Sequence, residues 1–311
     1  MNSCIVTGCA GFIGSHLCDR LIRNGYKVFG VDSFTAYYPI EIKEENLRNI
    51  INNNNFKLIK LDLANQDLRK VLPKTDYIFH LAGEVGVRNS FGENFENYVK
   101  NNILATQKIL EFAKDTVELK KLIFASSSSV YGEVSKVPIS EDMNTSPVSP
   151  YGVTKLSSEK LCLLYHKNFR VPVIILRYFT VYGPRQRPDM AIYKFIKAIL
   201  TGDEIIVYGD GNQTRDFTYV DDIVSANILA SNCALNGEIF NIGAGTRINI
   251  KALIKMIEKK IGKEAKLKYT CSEKGEMRDT LSDITKAKKV FKYNPKFQID
   301  VGLDREIEWF K

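Results

Sequence analysis

The chain has 311 residues, 44% of them hydrophobic and 26% charged, with a formal charge of +8 at pH 7. That length exceeds one average domain and can bury a full core, so a globular protein of one large or two modest domains is expected. No run approaches the roughly 20 apolar residues needed to cross a bilayer, and the apolar N-terminus carries no basic leader, so the expected location is the cytoplasm, away from any membrane.

Residues 3–7 form a short apolar run that leads into Gly8-Cys9-Ala10-Gly11-Phe12-Ile13-Gly14 and then a helical pattern at Ile13, Leu17, Leu21 and Ile22. Strand, glycine turn and helix in that order let the backbone approach a pyrophosphate, which then sits on the positive end of the helix. A second strand, 27–31, ends in Asp32, about 20 residues beyond the glycines, where a carboxylate takes both hydroxyls of an adenosine ribose. The same carboxylate repels a 2′-phosphate, which favours NAD over NADP.

Strands at 56–61 and 77–81 follow, the first running into Asp62 and Leu63 and the second into Ala82 and Gly83. Alternating strands and helices at this spacing imply a doubly wound parallel sheet, whose ligands lie beyond the carboxyl ends of the strands. Residues 91–114 read as one long helix with Asn101 on a face that reaches the cofactor.

A fifth strand, 119–125, delivers a serine run, 126–129, to the same edge of the sheet. The polar segment 133–150 reads as a loop able to cover a ligand. Tyr151 and Lys155 then share one face of a helix. A lysine ammonium beside a phenol favours the phenolate, so a group that ordinarily titrates near pH ~10 can act as a base nearer neutrality, while the serines orient a substrate hydroxyl toward it. Leu156, Leu161 and Leu164 mark the apolar side of that helix, to pack on the sheet or on another subunit.

The strand 171–176 completes the sheet and ends at Arg177, Tyr178, Phe179 and Thr180. Beyond Val181 the chain is turn-rich and basic, which implies a smaller substrate-binding domain, 181–311, after a dinucleotide-binding domain, 1–180, with 217–243 returning to the first. Residues 214–222 open a further helix, and Glu276-Met277-Arg278 lies in a loop. Arg187, Arg215 and Arg278 are placed to converge on a diphosphate or a carboxylate, since a guanidinium fork matches both.

The six cysteines (Cys4, Cys9, Cys18, Cys162, Cys233 and Cys271) contain no Cys-x-x-Cys pair and have no histidine at ligand spacing. That argues against a bound metal and against a disulfide scaffold, and suits a reducing compartment. The lysines are scattered rather than striped with aromatics, so nucleic acid is not the expected partner, and the mild basicity suits a small anionic substrate.

The ordered set Gly8-x-x-Gly11-x-x-Gly14, Asp32, Asp62-Leu63, His80-Leu81-Ala82-Gly83, Ser127 before Val130-Tyr131-Gly132, Tyr151-x-x-x-Lys155, the run 177–184 and Arg215-Asp216-Phe217-Thr218 resembles the extended short-chain dehydrogenase/reductase family, in its nucleotide-sugar epimerase and dehydratase branch. The likeness spans essentially the whole chain. It implies a Rossmann-type fold and a tightly held NAD, with Gly8, Gly11, Phe12, Ile13, Gly14, Asp32, Ser33, Asp62, Leu63, Leu81, Ala82, Gly83, Asn101, Tyr151, Lys155 and Tyr178 as cofactor-binding candidates. It also implies that Tyr151 removes the proton of a sugar 4-hydroxyl as the C4 hydride leaves, that Ser127 bonds the oxygen becoming a ketone, and that Lys155 holds the nicotinamide ribose and lowers the tyrosine pKa.

Relatives that dehydrate place Asp-Glu after this serine, and uronate decarboxylases usually place Ser-Glu. Here Ser128 and Ser129 follow, so no carboxylate stands there to shuttle a proton at C5 or C6, which disfavours both reactions and leaves C4 epimerisation. The run through Arg187 most resembles UDP-glucuronate 4-epimerases, and implies Ser128, Ser129, Thr180 and Arg187 around the sugar carboxylate, with Arg88, Ser127, Arg215 and Arg278 as further substrate contacts. A neutral UDP-sugar 4-epimerase, a UDP-glucuronate decarboxylase and a catalytically silent NAD-binding protein are the competing readings. The resemblance also implies a homodimer, joined through helix 91–114 and the helix after Tyr151.

Overall fold

The computed structural model describes residues 1–271, 275 and 277–311; Glu276 of the loop named above lies outside them. The first half of the chain alternates strand and helix: β1 (Ser3–Thr7), α1 (Phe12–Arg23), β2 (Lys27–Asp32), α2 (Ile40–Leu47), β3 (Phe56–Lys60), α3 (Leu68–Val71), β4 (Tyr77–His80), α4 (Phe95–Tyr98), α5 (Ala105–Lys114), β5 (Lys121–Ser127), α6 (Pro150–Phe169) and β6 (Val173–Tyr178). The second half holds β7 (Thr180–Tyr182), α7 (Ala191–Thr201), β8 (Glu204–Tyr208), β9 (Thr214–Arg215), β10 (Phe217–Tyr219), α8 (Val220–Ser231), β11 (Glu238–Ile242), β12 (Ile248–Asn249), α9 (Ile250–Ile261), β13 (Lys266–Thr270), α10 (Thr285–Phe291) and α11 (Ile299–Trp309).

Seven of these strands make one parallel sheet in the order β11-β6-β5-β4-β1-β2-β3. Its strands are apolar on both faces because helices cover both. Successive residues therefore enter different cores: Cys4, Val6, Ile123, Ile174 and Leu176 pack in one cluster with Leu17 and Leu21 of α1, and Ile5, Leu122, Phe124, Val173 and Ile175 pack in the other with Ile109 and Leu110 of α5. The strand order reverses between β1 and β4, the place where an open sheet of this kind leaves a crevice for a ligand.

Late in the chain, β11 returns to the edge of this sheet beside β6, while β7 pairs with β10, β8 with β13 and β9 with β12. Asp216 ties these pieces together. Its buried carboxylate accepts the backbone N–H of Ala244, Gly245 and Ser282. The loop 133–150 is itself anchored, since the Ile139 N–H donates to the Leu281 carbonyl and the Asp283 N–H to the Ile139 carbonyl. It packs on the later part of the chain and does not line the cleft described below.

Two expectations change in shape. The helix foreseen at 91–114 begins with short 3₁₀ turns at Arg88–Ser90 and Gly92–Asn94, becomes α-helical, and is π-helical over Val99–Leu104 before α5. Helix α6 buries Gly152, Thr154, Lys155, Ser158, Glu159 and Cys162, and leaves Leu164 half exposed. The polar stripe faces inward because it has buried polar partners there; of the leucines, Leu161 packs partly buried against the sheet core and Leu156 against Val130, Tyr131 and Phe179, and Leu164 faces outward. Among the cysteines, five are buried, Cys271 is exposed, and none is in a disulfide.

Candidate active site

The glycine turn after β1 is shaped by close contacts. A Cβ on Gly14 would lie 2.1 Å from the Gly8 carbonyl oxygen, and one on Gly8, whose φ is +71°, would lie 2.9 Å from the Ala82 nitrogen. Gly11 caps α1 with no side-chain hydrogen bond to the first-turn N–H groups. A helix start presented bare at the edge of a cleft is an anion site. Asp32 stands beside it at the end of β2, its carboxylate accepting the N–H of Ala10 (3.1 Å) and Phe34 (2.8 Å).

A cleft of about 360 Å³ runs across the carboxyl edge of the sheet. From the β1–β3 half it is lined by Gly8, Gly11, Phe12, Ile13, Gly14, Asp32, Ser33, Asp62 and Leu63, and at the switch point by Leu81, Ala82, Gly83 and Asn101. From the β5–β7 half come Ser127, Ser128, Ser129, Tyr151, Lys155, Tyr178, Thr180 and Arg187. The residues read as cofactor-binding and as catalytic thus share one cavity.

Arg88, Arg215 and Arg278 do not line it. They gather around 208–215 instead: the Arg88 guanidinium lies 4.0 Å from the Tyr208 ring centroid, Arg215 Nη1 donates to the carbonyls of Thr214 and Arg278, and Arg278 Nη2 pairs with Asp210 at 3.2 Å. Of the three arginines expected to converge, Arg187 is in the cavity and the other two lie outside its lining.

Ser127, at the end of β5, and Tyr151, at the start of α6, line the cleft together. The Ser127 hydroxyl accepts the Ser129 N–H and donates to the Ser129 hydroxyl, both at 3.1 Å. Burial pushes the Tyr151 phenol above its ordinary value, while the Ser127 hydroxyl and the Arg187 cation act to lower it. Lys155 Nζ lies 4.7 Å from the Phe124 ring centroid, and burial lowers its pKa to about 8 against the opposing pull of Cys162 and Glu159. Beneath them, Arg177 donates through Nε and Nη2 to Glu159 (2.9 and 2.7 Å), which also accepts from Ser126 Oγ.

Lys43 and Asn102 carried no signal in the sequence. Lys43 lies 3.8 Å from Asp32 and lines the cleft. Asn102, on the π-helical stretch, accepts the Glu84 N–H (2.7 Å) and donates to the Glu84 carbonyl and Thr154 Oγ1, so it fastens the end of β4 to the helix of Tyr151. Its neighbour Asn101 donates to the Glu84 carboxylate at 2.9 Å. His80, held neutral by burial with its pKa down to about 3, takes the Thr7 hydroxyl on Nδ1 and bonds Thr106 through Nε2. Thr7 Oγ1 in turn accepts the N–H of Leu81 and Ala82.

An open parallel sheet with a glycine turn and a strand-end carboxylate at its switch point defines a dinucleotide-binding protein of the Rossmann type. The model of the "NAD dependent epimerase/dehydratase family" matches residues 4–243, and the chain belongs to that family. Over 307 residues, 98% of this chain and 96% of the other, it is 43% identical to the "uncharacterized UDP-glucose epimerase YtcB" of Bacillus subtilis. It is 41% identical to the UDP-glucuronate 4-epimerase of Thermodesulfobacterium geofontis, with 100% of this chain and 97% of that one covered. The UDP-glucuronic acid 4-epimerase of Bacillus cereus, solved with UDP-glucuronic acid and NAD, superposes with a TM-score of 0.95 at 46% identity, covering 99% of this chain and 98% of that one. NAD is the family's cofactor, and the glycine cradle, the bare helix start and Asp32 of this chain fit it.

Proposed function

We propose that the protein is a UDP-glucuronate 4-epimerase, forming UDP-galacturonate with NAD as its cofactor. The observation that carries this reading is the meeting of Ser128, Ser129, Thr180 and Arg187 in the same cavity as Ser127, Tyr151 and Lys155. Hydroxyls and a guanidinium there suit a sugar carboxylate, and positions 128 and 129 hold no acid to carry the intermediate onward.

In this assignment Tyr151 takes the 4-hydroxyl proton and later returns it, and Ser127 bonds the same oxygen in both the hydroxyl and the ketone state. Bound NAD supplies the acceptor and donor of the C4 hydride. Lys155 holds the nicotinamide ribose. A 4-keto uronate is a β-keto acid that loses CO₂ readily, so Ser128, Ser129, Thr180 and Arg187 act to hold its carboxylate in an orientation unsuited to that loss. Arg88, Arg215 and Arg278, gathered around 208–215 outside the cleft lining, are assigned to the diphosphate, which a guanidinium fork matches.

The proposed division of the chain is 1–180 with 217–243 for the cofactor and the remainder of 181–311 for the nucleotide sugar, supported by the return of β11 to the large sheet. The proposed assembly is a homodimer. Its support is apolar surface on two neighbouring helical segments, Phe95, Val99 and Leu104 on one and Val153 and Leu164 on α6, each more than a third exposed. The cytoplasm is the proposed location, in keeping with six unpaired cysteines.

The test is product analysis after incubation with UDP-glucuronate. UDP-galacturonate is the expected product, whereas turnover of UDP-glucose or UDP-N-acetylglucosamine without UDP-glucuronate would overturn the assignment. The likeness to YtcB makes the neutral-sugar epimerase the second reading. Release of CO₂ with a pentose product would mark a decarboxylase.

A further inference from the structure

The segment that leaves β2 after Asp32 does not stay on its own half of the sheet. Tyr37 reaches across the crevice, where its hydroxyl donates to Asp189 Oδ2 at 3.3 Å and accepts from Asn89 Nδ2 at 3.2 Å. Asn89 belongs to the connection after β4, and Asp189 to the connection after β7. Three segments from three strands therefore meet at one hydroxyl, on opposite sides of the switch point where a dinucleotide lies.

The meeting point is built rather than incidental. Asp189 is fixed by a two-bond fork from Arg187, Nε at 2.9 Å and Nη2 at 3.0 Å. Gly86, with φ +93°, leaves room for the phenol, since a Cβ there would lie 2.4 Å from Tyr37 Oη. Tyr37, Gly86 and Arg187 all line the cleft.

We propose that Tyr37, bonded to Asn89 and Asp189, is a clasp over the dinucleotide groove that retains NAD through the ketone stage of the reaction. The chemistry demands such retention. While the sugar is a ketone, the reducing equivalent it gave up must come back to the same molecule, so cofactor lost at that point is a failed turnover. The clasp concerns NAD alone and holds whichever sugar is epimerised.

The experiment loads the full-length protein with NAD and follows its displacement by an excess of a fluorescent NAD analogue. Tyr37→Phe keeps the ring and removes both bonds, and is expected to speed release by roughly three- to tenfold, the effect of losing a solvent-accessible hydrogen bond to a charged group. Asn89→Ala removes one bond and is expected to act in the same direction more weakly. The double variant is expected to release NAD no faster than Tyr37→Phe alone, because both changes act through one hydroxyl. Unchanged release in Tyr37→Phe, or full additivity in the double variant, would overturn the clasp. Should Tyr37→Phe fail to fold, Asn89→Ala decides alone, with unchanged release sinking the idea. Failure of the parent to bind NAD would instead sink the cofactor assignment.

Discussion

Glu159 and Arg177 form a two-bond ion pair buried behind the active site, one helical turn beyond Lys155 and at the foot of the serine run. Both ends are almost wholly out of water, and the Arg177 guanidinium also lies 4.7 Å from the Tyr131 ring centroid. Removing the acid alone strands a buried cation. Glu159→Ala is expected to destabilise the protein by about 3–5 kcal/mol, and Glu159→Leu combined with Arg177→Met by much less. Chemical denaturation of the single and double variants checks this, and equal losses would show that the pair is not coupled.

Tyr151→Phe deletes the proposed base while keeping the ring that packs edge-on to Tyr98 at 6.3 Å. Turnover is expected to fall at least about 100-fold with nucleotide-sugar affinity retained, since general base catalysis is typically worth that or more. Steady-state rates beside a calorimetric titration separate the two effects, and near-parental turnover would remove Tyr151 from the mechanism.

Lys155 gives a pH dependence whose sign follows from its burial. Its pKa is about 8 in the folded protein against 10.5 ordinarily. Below about 8 the fold bears the whole cost of a buried ammonium, on the order of 3 kcal/mol. Between the two values the unfolded chain binds a proton that the folded one does not, so stability rises with pH. Lys155→Met is therefore expected to be inactive yet more stable than the parent near neutrality, with the gap closing above 10.5. Thermal melts of the cofactor-free proteins across that range test it. A gap that widens with pH would contradict it.

Replacing Ser128 and Ser129 together by alanine removes two hydroxyl donors from the proposed carboxylate site. KM for UDP-glucuronate is expected to rise about tenfold or more while UDP-glucose, lacking the carboxylate, changes little. Equal effects on both sugars would show that these serines do not read the acid.

The apolar residues left exposed on the 95–114 segment and on α6 predict a dimer mass in light scattering at micromolar concentration. Val153→Glu with Leu164→Glu is expected to shift the protein toward monomer, because charge placed in an apolar interface is costly. A monomeric parent would refute the assembly.

The dinucleotide-binding half was legible because its signals are local. A strand, three glycines and a strand-end aspartate occupy short windows, and each has one physical use in that order. That Tyr151 and Lys155 line one cleft followed from their four-residue spacing together with their place after the fifth strand. Lys43, Glu159, Asn102 and Asp189 were not legible, since each works on a partner far away in sequence or in a direction only the folded backbone sets, as when Asn102 bonds Glu84 and Thr154 at once. The leucines of α6 were legible only in part, since Leu156 and Leu161 pack on core clusters while Leu164 faces outward: apolar periodicity does not mark the buried face where the buried partners are polar.

The π-helical turn at Val99–Leu104 bears on the geometry of the site. A π-turn is an α-helix with one residue too many, wound in without lengthening the rod on either side. Taking one residue out of this turn would let it close into ordinary α-form while the helix on either side keeps its place, so the change falls on the side chains of the turn itself. Asn101 and Asn102, which bond Glu84 and Thr154, belong to that turn. A change of chain length here, rather than of side chain, would thus act on the contacts that tie the Tyr151 helix to the segment after β4.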